Sequence, residues 1–290
     1  MRSSIIIPVY NQTEQLLITL QALNKQSNKS FEVIVVDDGS DETVENFVDL
    51  SAFYFDISIL RQNNKGRSAA RNMGIKQAKF ELIIFCDADR VPGKDFVKSH
   101  IDEHTEENLV VIGEVREVYV SNLEYAGDMF FKDPDFFIKK SKIPKYPKIV
   151  GNIFDAGVTE SKMPWISTFS GNMSIRKEML SSIGYFSELF TNWGFEHFEL
   201  GYRAFKSNLK FVKTSQAVNY HIAHSRDLSR LKEYFIQSIH IMEQLHPKDE
   251  IIRFFGDFML GKVSLQEIEP SPEASWKEKI ETPIFFQVDK

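Results

Sequence analysis

Leu82-Ile83-Ile84-Phe85-Cys86-Asp87-Ala88-Asp89 is the stretch that decides the fold class, because a run of apolar residues ends there in two carboxylates. A short apolar run without alternation is typical of a strand that is buried on both faces. Asp87 and Asp89 project from the same side of the extended chain, at the strand end where open α/β sheets bind ligands. Two neighbouring carboxylates repel each other, which points to a divalent cation that also binds a diphosphate. A solvated turn after a strand is the alternative.

Short apolar strands alternate with amphipathic helices over the first hundred residues. The strands are predicted at Ser4–Val9, Phe31–Val36, Ile57–Leu60 and Leu82–Cys86, and the helices at Thr13–Lys25, Thr43–Leu50, Arg67–Lys79 and Lys94–Glu106. This alternation predicts an α/β fold with a mainly parallel, Rossmann-like sheet flanked by helices.

The second part of the chain is less regular. A longer strand is expected at Leu109–Val120, after which Ser121–Trp165 loses periodicity and is expected to form a flexible cover or an acceptor-side element. Order returns with strands near Phe169–Ile175, Phe211–Val212 and Ala217–Ile222 and with helices near Lys177–Ile183 and Glu196–Ser207. From about Arg226 the pattern is helical and then irregular. We therefore expect a domain at 1–225 and a small helical extension with an irregular tail at 226–290.

The composition is that of a soluble globular protein. The chain has 290 residues, of which 42% are hydrophobic and 26% are charged. A formal net charge of -6 gives no broad footprint for nucleic acid. Cys86 is the single cysteine, which excludes an intramolecular disulfide and a cysteine-rich metal site, and we interpret it as a small core residue.

Membrane and export signals are weak in this sequence. The apolar stretch Ser3–Val9 is too short for the core of a signal peptide, and no segment approaches the roughly 20 apolar residues of a membrane span. We therefore expect a soluble, cytoplasmic protein. A peripheral membrane contact stays open, because several of the 25 phenylalanines fall in predicted loops.

Two turns after predicted strands carry polar residues that suit a nucleotide. Pro8-Val9-Tyr10-Asn11 closes the first strand and would line a base and ribose pocket, although Asn11 or Thr13 also suits a helix cap. Val35-Val36-Asp37-Asp38-Gly39-Ser40 closes the second strand with paired acids that can accept hydrogen bonds from a base or ribose. Helix capping explains Ser40, whereas the two adjacent, mutually repelling carboxylates favour a ligand.

Basic side chains cluster at the start of the third predicted helix. Asn64–Ile75 reads NKGRSAARNMGI and places Lys65, Arg67 and Arg71 at or just inside the helix amino terminus. That end has free N–H groups and a partial positive charge, so it suits anions such as a diphosphate. Cations normally avoid this end, and Arg71 lies one turn beyond Arg67 on the same face. The segment therefore predicts an anion site.

A second helix start carries acidic residues. Trp193-Gly194-Phe195-Glu196-His197-Phe198-Glu199 leads into a helix on which Glu196 and Glu199 can face one side. A surface ion pair with Arg203, four residues on, would explain Glu199. Glu196 opens the helix near Trp193 and is the stronger functional candidate.

Together these segments resemble the family 2 glycosyltransferases, which are enzymes with a GT-A fold. The resemblance covers about residues 3 to 225 and rests on six motifs in the expected order: PVYN, VVDDGS, NKGRSAARNMG, CDAD, FSGNMSIRKEML and WGFEHFELGYR. The carboxyl half is similar to chondroitin-polymerase-like and polypeptide N-acetylgalactosaminyltransferase-like enzymes. The resemblance implies a metal-dependent enzyme that moves a sugar from a UDP-sugar to an acceptor hydroxyl, with Mn²⁺ or Mg²⁺ as cofactor.

The resemblance also implies roles for residues of the amino-terminal half. Asp38 would contact the uracil, with Arg71 nearby. Asp87 would bind the ribose or the metal, and Asp89 would coordinate the metal. The residues expected to bind the donor are Pro8, Tyr10, Asn11, Asp38, Arg67, Arg71, Asp87, Ala88, Gly171, Asn172 and Trp193.

In the carboxyl half, the resemblance implies that Gly171 and Asn172 approach the donor sugar, and that Trp193 and Glu196 line the donor–acceptor junction. Many inverting relatives carry Glu-Asp where this chain has Glu196-His197, and that aspartate is the usual catalytic base. Glu196 is therefore our preferred base, with His197 as the alternative, since histidine often serves in general base catalysis. A retaining mechanism also stays open.

The segment Tyr220-His221-Ile222-Ala223-His224 resembles the second metal-binding segment of the family, in which a histidine completes the coordination. On an extended strand His221 and His224 point to opposite faces, so one of them is expected to bind. We favour His224 from its position in the motif, which makes the expected metal ligands Asp87, Asp89 and His224.

The sequence thus predicts a glycosyltransferase that binds a nucleotide-sugar donor and a carbohydrate, lipid-linked, peptide or small-molecule acceptor. A nucleotidyltransferase is one alternative, although it would not need the WGFEHFELGYR helix. A degenerate sugar-nucleotide-binding subunit of a polysaccharide assembly complex is another, because His197 replaces the usual base. A dinucleotide oxidoreductase is disfavoured, because the first strand–helix turn lacks a glycine-rich phosphate loop.

Overall fold

The structure is a computed structural model that describes residues 1–120, 123–192, 194–223 and 228–267. Within these residues eight strands form one sheet: β1 (Ser3–Val9), β2 (Phe31–Asp37), β3 (Asp56–Arg61), β4 (Leu82–Cys86), β5 (Arg90–Pro92), β6 (Leu109–Val118), β7 (Asn172–Arg176) and β8 (Lys210–Ile222). The strand order is β3-β2-β1-β4-β7-β6-β8-β5. The expected α/β sheet is therefore present, and helices flank it.

The amino-terminal half of the sheet is parallel, as the strand–helix alternation predicts. Strands β1, β2 and β4 are buried along their whole length, and β1 pairs in parallel with both neighbours. Helices α1 (Thr13–Leu23), α2 (Arg67–Gln77) and α3 (Phe96–Glu103) connect or follow these strands. Helix α2 packs closely on β1, since a Cβ at Gly74 would lie 2.5 Å from Ile6 Cγ2.

The second half of the sheet mixes directions. Strand β7 is antiparallel to both β4 and β6, and β5 is antiparallel to β8, whereas β6 and β8 are parallel. Strand β8 is continuous where the sequence predicts two short strands. Its pairing with β6 shifts register between Ile112 and Glu114, and this irregularity explains the break in the apolar pattern. Strand β5 has only three residues and was not predicted.

The segment Ser121–Trp165 was expected to be irregular, but the structure contains three short helices in its described part. They are α4 (Leu123–Lys132), α5 (Pro134–Lys140) and α6 (Lys145–Gly151). Each helix is too short to display a clear repeat, and prolines interrupt the pattern between them. Thr43–Leu50 is also not an α-helix. It contains a 3₁₀ turn at Val44–Asn46, and a second one follows at Leu50–Ala52.

The remaining helices are α7 (Lys177–Ile183), α8 (Glu196–Lys206), α9 (Leu228–Leu245) and α10 (Glu250–Met259). Phe235 of α9 and Phe255 of α10 each lie 5.2 Å, between ring centroids, from Phe195 at the start of α8. These helices therefore share one core with the sheet. The division at residue 225 stays a prediction, and the expected tail beyond 267 lies outside the described residues.

No helix in the described parts of the chain combines the length and apolarity needed to cross a bilayer.

Candidate active site

The carboxyl ends of β1, β2 and β4 meet at one edge of the sheet and bring three of the sequence motifs together. The parallel register sets Val9 opposite Asp37, and the N–H of Asp38 donates to the carbonyl of Val9 at 2.8 Å. Asp87 follows β4, which pairs with the other side of β1. This edge is the expected position for a ligand in an open α/β sheet.

Arg71 joins two motifs that are far apart in the sequence. Its guanidinium is buried, with Nη2 donating to Asp87 Oδ1 at 2.8 Å and Nη1 donating to Glu196 Oε1 at 3.0 Å. The Nε of Arg71 has no hydrogen-bond partner among the described residues. One arginine of α2 thus links the end of β4 to the start of α8.

Arg71, Asp87 and Glu196 stabilise one another in their charged forms. Burial lowers the pKa of Arg71, but the carboxylates of Asp87 and Glu196 outweigh burial and raise it. Burial raises the pKa of Glu196, whereas His197, Arg71 and Arg67 lower it, to about 2 in total. Glu196 is therefore a stable carboxylate near neutral pH, and it is a weak proton acceptor.

Asp89 faces nitrogen-bearing side chains. Its Oδ2 accepts a hydrogen bond from Gln12 Nε2 at 3.0 Å and lies 3.4 Å from His221 Nε2. The other ring nitrogen of His221, Nδ1, lies 3.5 Å from Glu117 Oε1. Strand β8 therefore brings His221, the histidine that the sequence analysis did not favour, next to the Asp-x-Asp motif.

The side chains of Asp89 and His221 could supply part of the coordination shell of a divalent cation. A carboxylate oxygen and an imidazole nitrogen are both ligands for Mn²⁺, and diphosphate oxygens would complete such a site. Among the residues that the structure describes, no group of three or more His, Cys, Asp or Glu side chains is arranged as a metal site. His224, the expected ligand, lies outside the described residues. Asp89 and His221 are thus two described donors of a candidate metal site. Asp87, the other expected ligand in the described residues, has its two oxygens paired with Arg71 and Arg90, and its role at the metal stays a prediction.

The carboxylate of Asp38 holds the loop before α2. Its Oδ1 accepts from Gln62 Nε2 at 2.7 Å and from the N–H of Lys65 at 2.9 Å, and its Oδ2 accepts from the N–H of Gly66 at 2.9 Å. Gly66 has a φ of 91°, which favours glycine. Asp38 therefore fixes the start of α2, where Arg67 is exposed. Its contact with uracil stays a prediction.

The turn after β1 is held to the turn after β2. Asn11, with a φ of 52°, donates its N–H to Ser40 Oγ at 2.9 Å. Its side chain exchanges hydrogen bonds with the carboxylate and the N–H of Asp41. Pro8 belongs to β1, whereas Tyr10 is 47% exposed and free to contact a ligand. Asn11 thus shapes the turn, and it does not cap α1.

Gly171 and Asn172 differ in their access to the site. A Cβ at Gly171 would lie 2.3 Å from Arg90 Nε and 2.5 Å from Asp87 Oδ2, so any larger residue would displace these side chains. Asn172 is buried. Its Nδ2 donates to the carbonyls of Glu114 and Ala217 at 3.0 and 2.9 Å. These bonds favour a structural role for the Asn172 side chain over the expected contact with the donor sugar.

His197 follows Glu196 at the start of α8 and lies against an aromatic ring. Its Nδ1 is 3.7 Å from Glu196 Oε1, and its ring centroid is 6.0 Å from that of Phe169. The Nε2 of His197 and the Oε2 of Glu196 are both buried without a hydrogen-bond partner among the described residues. Two buried polar atoms at the start of α8 thus have unused hydrogen-bonding capacity within the described part of the chain. Trp193, expected beside them, lies outside the described residues.

Glu199 and Arg203 form the expected ion pair, but the pair is not on the surface as predicted. Glu199 is buried, and its two oxygens accept from Arg203 Nε and Nη2, both at 2.8 Å. Glu199 Oε1 also lies 3.0 Å from His246 Nε2 at the end of α9. Arg203 further donates to the carbonyls of Ile183, Gly184 and Tyr185. The pair therefore fixes α8 to its neighbours.

Sequence reasoning missed Gln12, Arg90 and Glu117 at this site. Arg90 Nε donates to Asp87 Oδ2 at 3.3 Å, and the other two residues contact Asp89 and His221. Arg90 directly follows the Asp-x-Asp motif, so its position was a usable signal. Gln12 and Glu117 stand 77 and 28 residues from Asp89, and no local pattern marks them.

Comparisons with known proteins fit this geometry. The sequence profile described as Glycosyl transferase family 2 matches residues 4–181, more than half of the chain. A second profile, described as N-terminal domain of galactosyltransferase, matches residues 155–225. The two matched regions together contain every motif around Arg71.

Two bacterial enzymes are among the similar curated proteins. Chondroitin synthase of Escherichia coli is 31% identical over 242 residues, which cover 75% of this chain and 34% of that protein. Chondroitin synthase of Pasteurella multocida is 33% identical over 235 residues, covering 75% of this chain and 24% of that protein. The matching region thus spans about a third or less of those relatives.

Solved structures share the fold. TarS 1–349 of S. aureus in complex with UDP has a TM-score of 0.60 at 22% identity and covers 92% of this chain and 77% of that one. GalNAc-T7 with UDP, GalNAc and Mn²⁺ has a TM-score of 0.56 at 17% identity, covering 89% and 54%. These likenesses confirm the GT-A fold. With the profile match, they lead to one assignment: this chain belongs to glycosyltransferase family 2.

Proposed function

We propose that this protein transfers a sugar from a UDP-sugar to an acceptor hydroxyl with the help of a divalent cation. The observation that carries the proposal is the buried Arg71, whose two ion pairs join the Asp-x-Asp strand end to the start of α8. The TarS and GalNAc-T7 structures, whose titles name UDP, support the choice of donor. The acceptor class stays open among carbohydrate, lipid-linked, peptide and small-molecule hydroxyls.

In this proposal, Asp89 and His221 would hold the cation, Mn²⁺ or Mg²⁺. When bound, the cation neutralises the diphosphate and stabilises the charge of the leaving UDP. Arg67, exposed at the start of α2, approaches the same diphosphate. Gly171 leaves room for the side chains of Arg90 and Asp87, and its backbone would approach the donor sugar beside them.

We propose His197 as the base, in preference to Glu196. The low pKa of Glu196 makes its carboxylate a poor proton acceptor, whereas it suits a group that stabilises a cation next to it. His197 Nε2 would take the acceptor proton as the hydroxyl oxygen attacks the sugar carbon, and Glu196 would stabilise the imidazolium through Nδ1. The rings of Phe169 and Phe198, which pack on His197, would help to keep water away from the donor.

The metal part of the proposal predicts that UDP binding depends on the cation. Titration calorimetry of UDP with Mn²⁺ and with EDTA should give binding in Mn²⁺ that weakens by at least about tenfold in EDTA. Asp89→Asn should lose the Mn²⁺ dependence, and Asp102→Asn on the exposed face of α3 should keep it. Equal UDP binding in Mn²⁺ and EDTA would contradict the metal assignment.

The assignment of His197 as the base predicts that substitutions of His197 and Glu196 have different effects on transfer. His197→Ala should bind UDP normally and lose transfer by a factor of about 10² or more. His240→Ala, an exposed histidine of α9, is the matched control and should transfer normally. Normal transfer by His197→Ala together with a loss in Glu196→Gln would return the base to Glu196. Binding of UDP-sugars without any release of UDP would favour the non-enzymatic subunit.

A further inference from the structure

A concentrated positive charge lies on one segment of an otherwise acidic protein. The chain has 41 acidic and 35 basic residues, yet no Asp or Glu occurs between Phe136 and Phe154. Five lysines fall in that interval, at positions 139, 140, 142, 145 and 148. We call residues 139–148 the basic strip. It contains the end of α5 and the first half of α6.

Three lysines of the basic strip lack acidic partners. Lys139, Lys142 and Lys148 are exposed and form no ion pair within the described parts of the chain. Several exposed lysines elsewhere are paired, as Lys98 is with Asp102 and Lys210 with Glu106, and those without a pair among the described residues, such as Lys65 and Lys94, are not clustered. The positive charge of the strip is therefore not balanced by its neighbours.

Lys213 of β8 adds a further positive charge beside the strip. It lines a small cavity together with Ile143 and Pro147 of the strip. Lys213 forms no ion pair with any residue that the structure describes, unlike Lys206, Lys210 and Lys262. The acidic residue of the same cavity, Glu114, has its carboxylate paired with Arg116 at 2.6 Å. The cavity wall is thus basic on balance.

One end of the basic strip is attached to the candidate metal site. Lys142 forms a two-way backbone bridge with Glu117 at the end of β6, with N···O distances of 2.8 and 2.9 Å. Glu117 Oε1 lies 3.5 Å from His221 Nδ1, and His221 Nε2 lies 3.4 Å from Asp89. Two side-chain contacts therefore separate the strip from the Asp-x-Asp motif.

The other end leads to the candidate base. The ring of Tyr146 packs on Phe169 with centroids 5.9 Å apart, and Phe169 packs on His197 at 6.0 Å. The basic strip therefore borders the site between the metal corner and His197. A group bound along the strip would lie beside a substrate that reaches Nε2 of His197.

We propose that the basic strip and Lys213 bind an acceptor chain that carries negative charge as carboxylate, sulfate or phosphate groups. This inference rests on the proposed function, because it names the class of acceptor for that site. Lysines without acidic partners complement such groups, and the partly buried ring of Phe169 suits the apolar face of a sugar. The attachment of the strip at both ends of the site favours an acceptor over an anionic membrane surface.

The test compares two triple variants with the same change of charge. The test variant is Lys142→Gln/Lys148→Gln/Lys213→Gln, and the control is Lys98→Gln/Lys210→Gln/Lys262→Gln, whose lysines are exposed elsewhere. Calorimetry would measure binding of hyaluronan, chondroitin sulfate and ribitol phosphate oligomers and of neutral maltohexaose, at low and high NaCl. Binding of phosphatidylglycerol vesicles, and separately of UDP with Mn²⁺, would be measured with the same proteins.

We expect at least one anionic oligomer to bind more tightly than maltohexaose, with weaker binding in high salt. The test variant should lose about tenfold in affinity for that oligomer, and the control should not. Equal binding of maltohexaose, or equal affinity of the two variants, would overturn the proposal. So would binding to phosphatidylglycerol vesicles without binding to any oligomer. Failure of UDP to bind, with anionic oligomers still bound, would reject the proposed function and leave the anionic surface standing.

Discussion

At the scale of single residues, the site depends on side chains and glycines whose close contacts do not tolerate substitution. Arg71 neutralises two buried carboxylates, and the loss of either contact would leave a buried charge without compensation. Gly171 is a second such position, because its missing side chain makes space between Arg90 and Asp87. Both residues were identified from motifs, but their physical roles follow from contacts.

Gly171→Ala should reduce activity far more than stability. The added Cβ would lie 2.3 Å from Arg90 Nε and 2.5 Å from Asp87 Oδ2, so the side chains of Arg90 and Asp87 must move. We expect transfer to fall by about 10² or more, since displacements near 1 Å can have such effects. UDP release and urea unfolding would measure the two quantities.

Gly127→Ala is the matched control for this change. Gly127 lies within helix α4, and a Cβ there would make an ordinary contact with Ile18 of α1 at 3.5 Å. It should leave activity unchanged and stabilise the protein by about 0.5–1 kcal/mol, because alanine is the better helix former. Normal transfer by Gly171→Ala would show that the Asp87 corner tolerates movement.

At the scale of elements, the contact between α3 and β7 is polar and buried. His100 Nδ1 and His104 Nε2 lie 2.9 and 2.8 Å from Ser174 Oγ, and His100 Nε2 lies 3.0 Å from Asn172 Oδ1. Burial lowers the pKa of both rings, to about 4 for His100 and about 3 for His104. These histidines are therefore neutral in the folded protein at pH 7.

The depressed pKa values predict a loss of stability in mild acid. In the unfolded chain His100 takes up a proton as the pH falls through about 6.5, whereas in the folded chain it does so only near 4. The unfolded state then binds more protons, so the free energy of unfolding falls between these values, by on the order of 3 kcal/mol for His100.

Urea unfolding at pH 7, 6 and 5 would measure this slope. His100→Gln should reduce the slope, while His240→Gln, an exposed histidine, should keep it. The low pKa of Glu196 adds a separate loss only below about 4.5, so the two effects can be distinguished. An unchanged slope in His100→Gln would contradict the assignment.

At the scale of the whole molecule, the two carboxyl-terminal helices complete the core behind the site. Phe255 of α10 lies 4.8 Å from Trp165 and 5.2 Å from both Phe195 and Phe198, measured between ring centroids. The last two residues flank Glu196 and His197. The position of the candidate catalytic residues therefore depends on a segment outside the six motifs.

Phe255→Ala should both destabilise the protein and weaken transfer. Removing a fully buried phenylalanine costs about 3–5 kcal/mol, and the cavity would loosen the start of α8. Its neighbour Phe254, which is partly buried, gives the matched control and should cost clearly less as Phe254→Ala. Thermal unfolding and UDP release would be compared for the two variants. Equal effects would show that α10 does not support the site.

Much of the fold and of the site was predictable from local sequence. The apolar runs of β1, β2 and β4, the α2 amino terminus and the Asp-x-Asp motif have signals within a few residues, because strand burial and helix starts are local properties. The helices between 123 and 151 and the unbroken β8 lack such signals, since prolines and a register shift disturb the periodicity.

The sequence by itself determined the parallel strands of the amino-terminal half, the positions of the basic helix start and of the carboxylates, and the family resemblance, because each is encoded in a short contiguous motif. Only the tertiary structure decided that Arg71 pairs with Glu196, that His221 meets Asp89, and that Glu199 is buried with Arg203 and His246. Most of these contacts join residues far apart in the chain. Their geometry depends on how sheet and helices pack, which no local pattern encodes.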